Sequence, residues 1–346
     1  MKQSSLAIAI LFLLVAGCIF IGPVDPPEPP SPDPVIPDVV LVDSGPVTSQ
    51  RDGEIIERLR IVSDGDGITI RHDGVTVKLV EVHHRNGHGI RVQGSRATTI
   101  SDVYISHAGA PETGANESEC NNIHVVASPE TLIETAYLEK GSSGVWLVDS
   151  PNSTVREVHG FDFRGPFPRG QLVQFDKSDD SLLEDFSNVN PLETSWVEDN
   201  VSVYQSDRCT IRRGIIDGNN DKTGVGVMLE FADECVVEDV DTIRQGNGSF
   251  SSYPGTNNVF RRCRAMDNYC GPTAKGDGPP TSGSLIFASS PEAQGTVFTE
   301  CAYWNACNPN NILWNRSTVT TADIREQEFE PQPIQVIDLP WRKDER

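Results

Sequence analysis

The sequence predicts an all-β solenoid built from short parallel strands, and three observations carry that expectation. A cycle close to 22 residues long recurs from about Asp64: Ile68 to Ile90 and Ile123 to Val145 are each 22 residues apart, and other intervals are that length plus an insertion. Each cycle opens on a strand whose apolar residues fall at alternate positions, the period of a pleated chain with one buried face. No segment between the strands offers a helical stripe, so crossover helices are missing and stacking of coils is the remaining way to pair parallel strands.

The opening strands read Gly67-Ile68-Thr69-Ile70, Gly89-Ile90-Arg91-Val92, Asn122-Ile123-His124-Val125, Gly144-Val145-Trp146-Leu147 and Leu172-Val173-Gln174-Phe175. They continue as Val201-Ser202-Val203-Tyr204, Gly226-Val227-Met228-Leu229, Ser284-Leu285-Ile286-Phe287 and Asn311-Ile312-Leu313-Trp314. Partner strands are equally short and β-branched, as in Val75-Thr76-Val77 with Val80-Glu81-Val82. The count is about ten coils, one of them weak around Tyr253 to Ala265. Cysteines follow the register: Cys209 and Cys235 open equivalent segments, Cys263 matches Cys301, and Cys270 and Cys307 trail those two. Without a Cys-x-x-Cys pair, buried packing is the first reading of the stacked thiols, with cross-coil disulfides as the alternative.

This pattern resembles the right-handed parallel β-helix superfamily that includes pectate lyases, polygalacturonases and chondroitinase B. The resemblance spans about Asp64 to Ser317 and rests on the repeat rather than on a catalytic signature. Gly165-Pro166-Phe167-Pro168-Arg169-Gly170-Gln171 and Ile216-Asp217-Gly218-Asn219-Asn220 are similar to blocks of uncharacterised bacterial members. The resemblance implies a single-stranded right-handed β-helix over residues 39–324 and, by analogy of fold, a polysaccharide as ligand.

The termini read differently. A short positive start and an apolar run from Leu6 to Gly17 end in Leu14-Val15-Ala16-Gly17-Cys18, which resembles a bacterial lipobox. Residues 1–17 are then a signal peptide and Cys18 the lipidated first residue of an exported, membrane-anchored protein, at the outer membrane or cell surface. Residues 18–38 carry the proline-rich run Pro23 to Asp38, an extended tether of roughly 50 Å at about 3.1 Å per residue. Residues 325–346 read as a charged tail or cap. The formal net charge of −22 argues against nucleic acid as partner, because phosphate binding needs clustered Lys and Arg. A monomer is expected.

Long insertions precede the opening strands at Ser106 to Asn121, Gly160 to Gln171, Asn190 to Asn200 and Asp267 to Gly283, whereas the turns after those strands stay short. Unequal loops on one edge would wall a groove. Alternation puts Thr69, Arg91, His124, Trp146, Gln174, Ser202 and Met228 in one outward column, and Arg71, Gln93, Val126, Val148, Asp176, Tyr204 and Glu230 in the next. Rings that stack on sugars and amides or carboxylates that bind hydroxyls point to a glycan strip, with Arg91, His124, Trp146, Gln174 and Tyr204 as contacts. The bland alternative is a run of ordinary exposed positions.

Asp176 and Glu230 fall two coils apart, about 9.6 Å at roughly 4.8 Å per coil, a spacing that suits inverting glycoside hydrolysis. Glu198, Asp199 and Asp217, on flanking loops, could supply a carboxylate or a Ca²⁺ site. A lyase would instead use Arg169, Lys177 and Arg164 against a uronate, with His124 as base. Two functions thus stand side by side: a surface polysaccharide hydrolase or lyase, and a non-catalytic glycan-binding or adhesive solenoid.

Overall fold

A computed structural model describes residues 39–268, 270 and 285–342. The signal peptide, Cys18, the tether and most of the Asp267–Gly283 insertion lie outside the described residues. Apart from one 3-10 turn at Arg316–Thr318, the secondary structure of the described residues is all strand, arranged in two parallel sheets.

The first sheet stacks eleven strands: Val47–Thr48, Ile68–Ile70, Ile90–Gln93, Ile123–Val126, Val145–Val148, Val173–Asp176, Val201–Tyr204, Val225–Glu230, Gly248–Ser252, Phe287–Ser289 and Leu313–Trp314. Inward positions such as Ile90, Val92, Val145, Leu147, Val173, Phe175, Val227 and Leu229 are completely buried. Each such side chain contributes about 1.5–3 kcal/mol by leaving water. The weakly legible coil is present, with Gly248–Ser252 pairing Phe250 to Phe287 over the core.

The second sheet is built from longer strands, among them Thr76–His84, Thr99–His107 and Thr154–Phe161. The long strands bend at a left-handed residue, Leu79, Asp102, Thr135, Glu157, Asp185, Arg213 and Asp239, and Arg262 makes the same bend between Val259–Arg261 and Arg264–Met266; all have φ between 50° and 55°. Stacking forces every coil to turn at the same rung, so non-glycine residues accept a backbone region they ordinarily avoid. Beside the bend, alternate coils supply opposite charges, as in Glu134 with Arg156, Glu184 with Arg212 and Glu238 with Arg261. These pairs are part-exposed and individually weak, but they fix register by rejecting like charges from adjacent rungs.

Hydroxyl ladders run through the buried turns. The amides of Ser95, Ser128, Ser150 and Ser178 each donate to the hydroxyl one coil on, at 2.8–3.0 Å. In a neighbouring ladder Thr131 donates to Ser153 and Ser153 to Ser181, and Cys209 donates to the Cys235 sulfur at 3.3 Å. The cysteines therefore stand where coils elsewhere use serine. Cys120, Cys209, Cys235, Cys263 and Cys301 are buried thiols, while Cys270 and Cys307 form a disulfide with Cα atoms 6.1 Å apart.

Beyond the last strand, Val319–Glu326, the chain turns back as a strap across the second sheet. The Gln332 amide donates to Asp241 Oδ2 (2.7 Å), Leu339 is buried, and the Arg342 guanidinium sits 3.6 Å over the Tyr104 ring. Beneath it Tyr104, Tyr137 and His159 stack on successive coils.

Candidate functional site

Three insertions pack into one wall along the first sheet. Arg164, fully buried, pairs with Asp162 at 2.5 Å and donates to the Pro111 carbonyl at 2.7 Å. Thr194 and Ser195 donate to the same Asp162 carboxylate at 2.9 and 2.8 Å, and the Asn116 amide donates to the Arg164 carbonyl. Arg164 thus clips loops together and is closed to substrate, which corrects its expected place in a uronate site.

Under this wall lies a cavity of about 310 Å³ lined by Pro168, Arg169, Gln174, Asp176, Glu198, Asp199, Ser202, Tyr204 and Glu230. Its floor is the outward face of Val173–Asp176, Val201–Tyr204 and Val225–Glu230, in which Asp176, Tyr204 and Glu230 occupy consecutive rungs. Arg169 bridges floor and wall: it donates to Gln174 Oε1 at 2.9 Å, lies 3.4 Å from Glu119, and covers the Trp146 ring at 3.7 Å.

Burial pushes the carboxyl groups of this cavity upward. Glu230 is raised by desolvation alone. Asp176 is raised by desolvation, against the pull of Lys177, Arg169 and the Trp146 indole. Asp199 is driven well above the ordinary carboxylate range, first by burial and then by the charge of Glu198, although it accepts the Val225 amide at 2.7 Å. The Trp146 indole N–H thus lies near enough to the Asp176 carboxyl to act on it, at the edge of the cavity.

Other expected residues lie apart from the cavity. Lys177 is exposed on the turn after Asp176 and does not line it. Asp217 belongs to the second sheet, in Thr210–Asn219, and pairs with Arg244 at 2.7 Å. Arg91, paired with Asp66 at 3.6 Å, is three rungs from Gln174. His124 is 9% exposed and stacks flat on Trp146, so this stretch of the column is covered rather than open. The Asn121 amide donates to His88 Nδ1, which leaves the His88 Nε2 proton to donate to His124 Nδ1 at 3.1 Å. Burial, neighbouring His88 and two arginines hold the His124 pKa at about 3. A protonated His124 is therefore remote, and a base role would need access that the wall denies. No three His, Cys, Asp or Glu side chains converge as a metal shell among the described residues.

Sequence reasoning missed the far end of the strip. Ser251, Ala288 and Trp314 continue the column after Met228, and Tyr253 follows Glu230 through the bond from its amide to the Leu229 carbonyl. Leu313, not Trp314, pairs with Phe287, so the register of the last strand is one residue from that expected and Trp314 faces outward.

The right-handed beta helix region model matches residues 47–165 and 157–326. The chain belongs to this β-helix family. No curated protein matches the β-helix by sequence. Among solved structures it is similar to an alginate lyase from Paenibacillus sp. str. FPU-7, with 11% identity, 75% of this chain and 91% of that chain covered, and a TM-score of 0.52. It is also similar to PfbA, a surface adhesin of Streptococcus pneumoniae (11% identity, 86% and 75% covered, TM-score 0.53). A third likeness is to a GH136 lacto-N-biosidase from Eubacterium ramulus (7% identity, 80% and 51% covered, TM-score 0.50). At these identities the likeness establishes the fold of the β-helix, and its function rests on the site.

Proposed function

We propose that the groove on the first sheet binds a polysaccharide and hydrolyses it with inversion, Glu230 acting as general acid and Asp176 as general base. The observation that carries this reading is the pair of half-buried carboxyls two rungs apart in one walled cavity. Two rungs correspond to about 9.6 Å between backbones at roughly 4.8 Å each, room for a water between base and sugar. Asp176 has Lys177 and Arg169 near it, partly offset by Asp149, and Glu230 has no such cation, which favours Asp176 as the ionised base and Glu230 as the acid.

β-Elimination fits less well. Of the groups a lyase would use, Arg169 alone lines the cavity, and its guanidinium is engaged by Trp146, Gln174 and Glu119. The same reading includes export and anchorage through Cys18, supported by the lipobox; the Cys270–Cys307 disulfide suits an oxidising compartment.

The test is a polysaccharide panel incubated with the fragment from Val39 onward, read as new reducing ends and as absorbance of unsaturated products. Asp176→Asn and Glu230→Gln should each lower turnover by about 10²–10⁴-fold while leaving glycan binding in place. Undiminished turnover in both variants, or unsaturated products, would overturn the assignment. Binding without turnover in the wild type would leave a glycan-binding surface protein.

A further inference from the structure

On the next rungs of the first sheet lies a second pocket of quite different chemistry. It has a volume of about 350 Å³, and its lining includes Met228, Tyr253, Leu285, Ala288 and Trp314 and no charged side chain. Tyr253 and Trp314 are 41% and 39% exposed, two large rings left facing solvent. Small residues separate them: Ser251 and Ala288 occupy the rungs between Met228 and Trp314, which makes the floor concave. An exposed ring pair over a small-residue floor is a poor surface for a solitary solenoid and a good one for the apolar face of a pyranose.

The two pockets share one strand. Glu230 closes the carboxylate cavity and Met228, two residues earlier, opens the aromatic one. From Ser202 to Trp314 is four rungs, about 19 Å at ~4.8 Å each, the length of a few linked sugar rings. In the other direction the groove stops. Arg169 lies on Trp146 and reaches Glu119, and beyond that plug His124 and His88 are nine-tenths buried. Charge narrows the ligand further: the cavity sets the carboxylates of Asp176 and Glu198 against one arginine that Glu119 already engages, which disfavours a uronate chain.

We propose that the Tyr253–Trp314 pocket is a stacking subsite for the inner rings of a neutral hexose chain whose terminal unit lies in the carboxylate cavity against Arg169. This rests on the groove being a glycan site, and it makes the protein a reader of chain ends.

The probes are two-unit and six-unit β-1,4-glucan, β-1,4-mannan and β-1,3-glucan oligosaccharides, titrated calorimetrically against the Val39 fragment carrying Asp176→Asn. At least one six-unit chain should bind about tenfold or more tighter than its two-unit form. Trp314→Ala should erase that increment, and Trp314→Phe should restore most of it at an unchanged melting temperature. Of two six-unit chains blocked by a bulky group at one end or the other, one should lose binding and the other keep it. Equal affinity for both lengths, an unaffected Trp314→Ala, or tolerance of both blocks would overturn the proposal. Turnover by the wild type with no effect of Trp314→Ala would sink the subsite and spare the hydrolase. Length-dependent binding lost in Trp314→Ala, with no turnover of any glycan, would do the reverse, and no binding by any probe would remove both.

Discussion

Replacing His84 by glutamine should make the protein less sensitive to acid. His84 lies wholly inside the wall of the early coils, donates from Nδ1 to the Gly87 carbonyl at 3.1 Å and meets His107 edge-on. Burial, helped by the charges of His107, His88 and His83, lowers its pKa from 6.5 to about 3. The folded state therefore keeps the ring neutral where the unfolded chain protonates it. The resulting stability is fully present above about pH 6.5 and is lost as pH falls from there toward 3. At about pH 5 the unfolded ring is protonated roughly 30 to 1 and the native ring is not, a penalty of about 2 kcal/mol. Glutamine can still donate to Gly87 but cannot titrate, so His84→Gln should start less stable at about pH 7.5 and then lose about 2 kcal/mol less than wild type on moving to about pH 5. Urea unfolding of both proteins at both pH values gives the comparison, and because it is a difference of differences the other titrating groups largely cancel. Equal losses in the two proteins would refute the account of a neutral buried ring.

Asp199 has the opposite sign. Its raised pKa means stability present at low pH and lost as pH rises above the ordinary carboxylate value, so Asp199→Asn, which can still accept the Val225 amide, should stabilise the fold by about 1–3 kcal/mol near pH 8 and flatten the melting temperature between pH 5 and 8. Thr135, a β-branched residue at φ 52°, is the least comfortable member of the bend column, and Thr135→Asn should raise stability by about 0.5–1 kcal/mol; a lower melting temperature would mean the bend is not what sets the cost. A chain ended after Gln327 loses the strap, including buried Leu339 and the Arg342 contact with Tyr104, and should unfold at least about 1.5–3 kcal/mol more easily in urea; an unchanged midpoint would show that the strap does not dock in solution.

The solenoid was legible because its signal repeats. Strands such as Ile90–Gln93 and Val145–Val148 combine β-branched inward residues with a fixed spacing, and each copy supports the assignment of the next. The rung order of Asp176, Tyr204 and Glu230 followed from alternation alone. Legibility failed where the pattern thinned. Gly248–Ser252 carries one aromatic core residue, Phe250, among glycine and serines, so periodicity had little to register there. In the last coil, Asn311-Ile312-Leu313-Trp314 has apolar residues at consecutive positions, and a slip of one reverses inside and outside, which hid Trp314. The burial of Arg164 and His124 was illegible for a different reason: loop-on-loop packing is not periodic, and a charged residue next to an opening strand reads the same whether it faces a ligand or clamps a wall. The cysteines could be placed in register but not paired by spacing, since Cys209 and Cys235 serve in a hydroxyl ladder while Cys270 and Cys307 are bonded.

The carboxylate pair is tested most directly by proton NMR of the anomer first released when the wild-type fragment cleaves a responsive glycan. A water held between Asp176 and the sugar predicts the inverted anomer at the earliest time points, with mutarotation following. A retained configuration or an unsaturated product would contradict the assignment of Asp176 and Glu230.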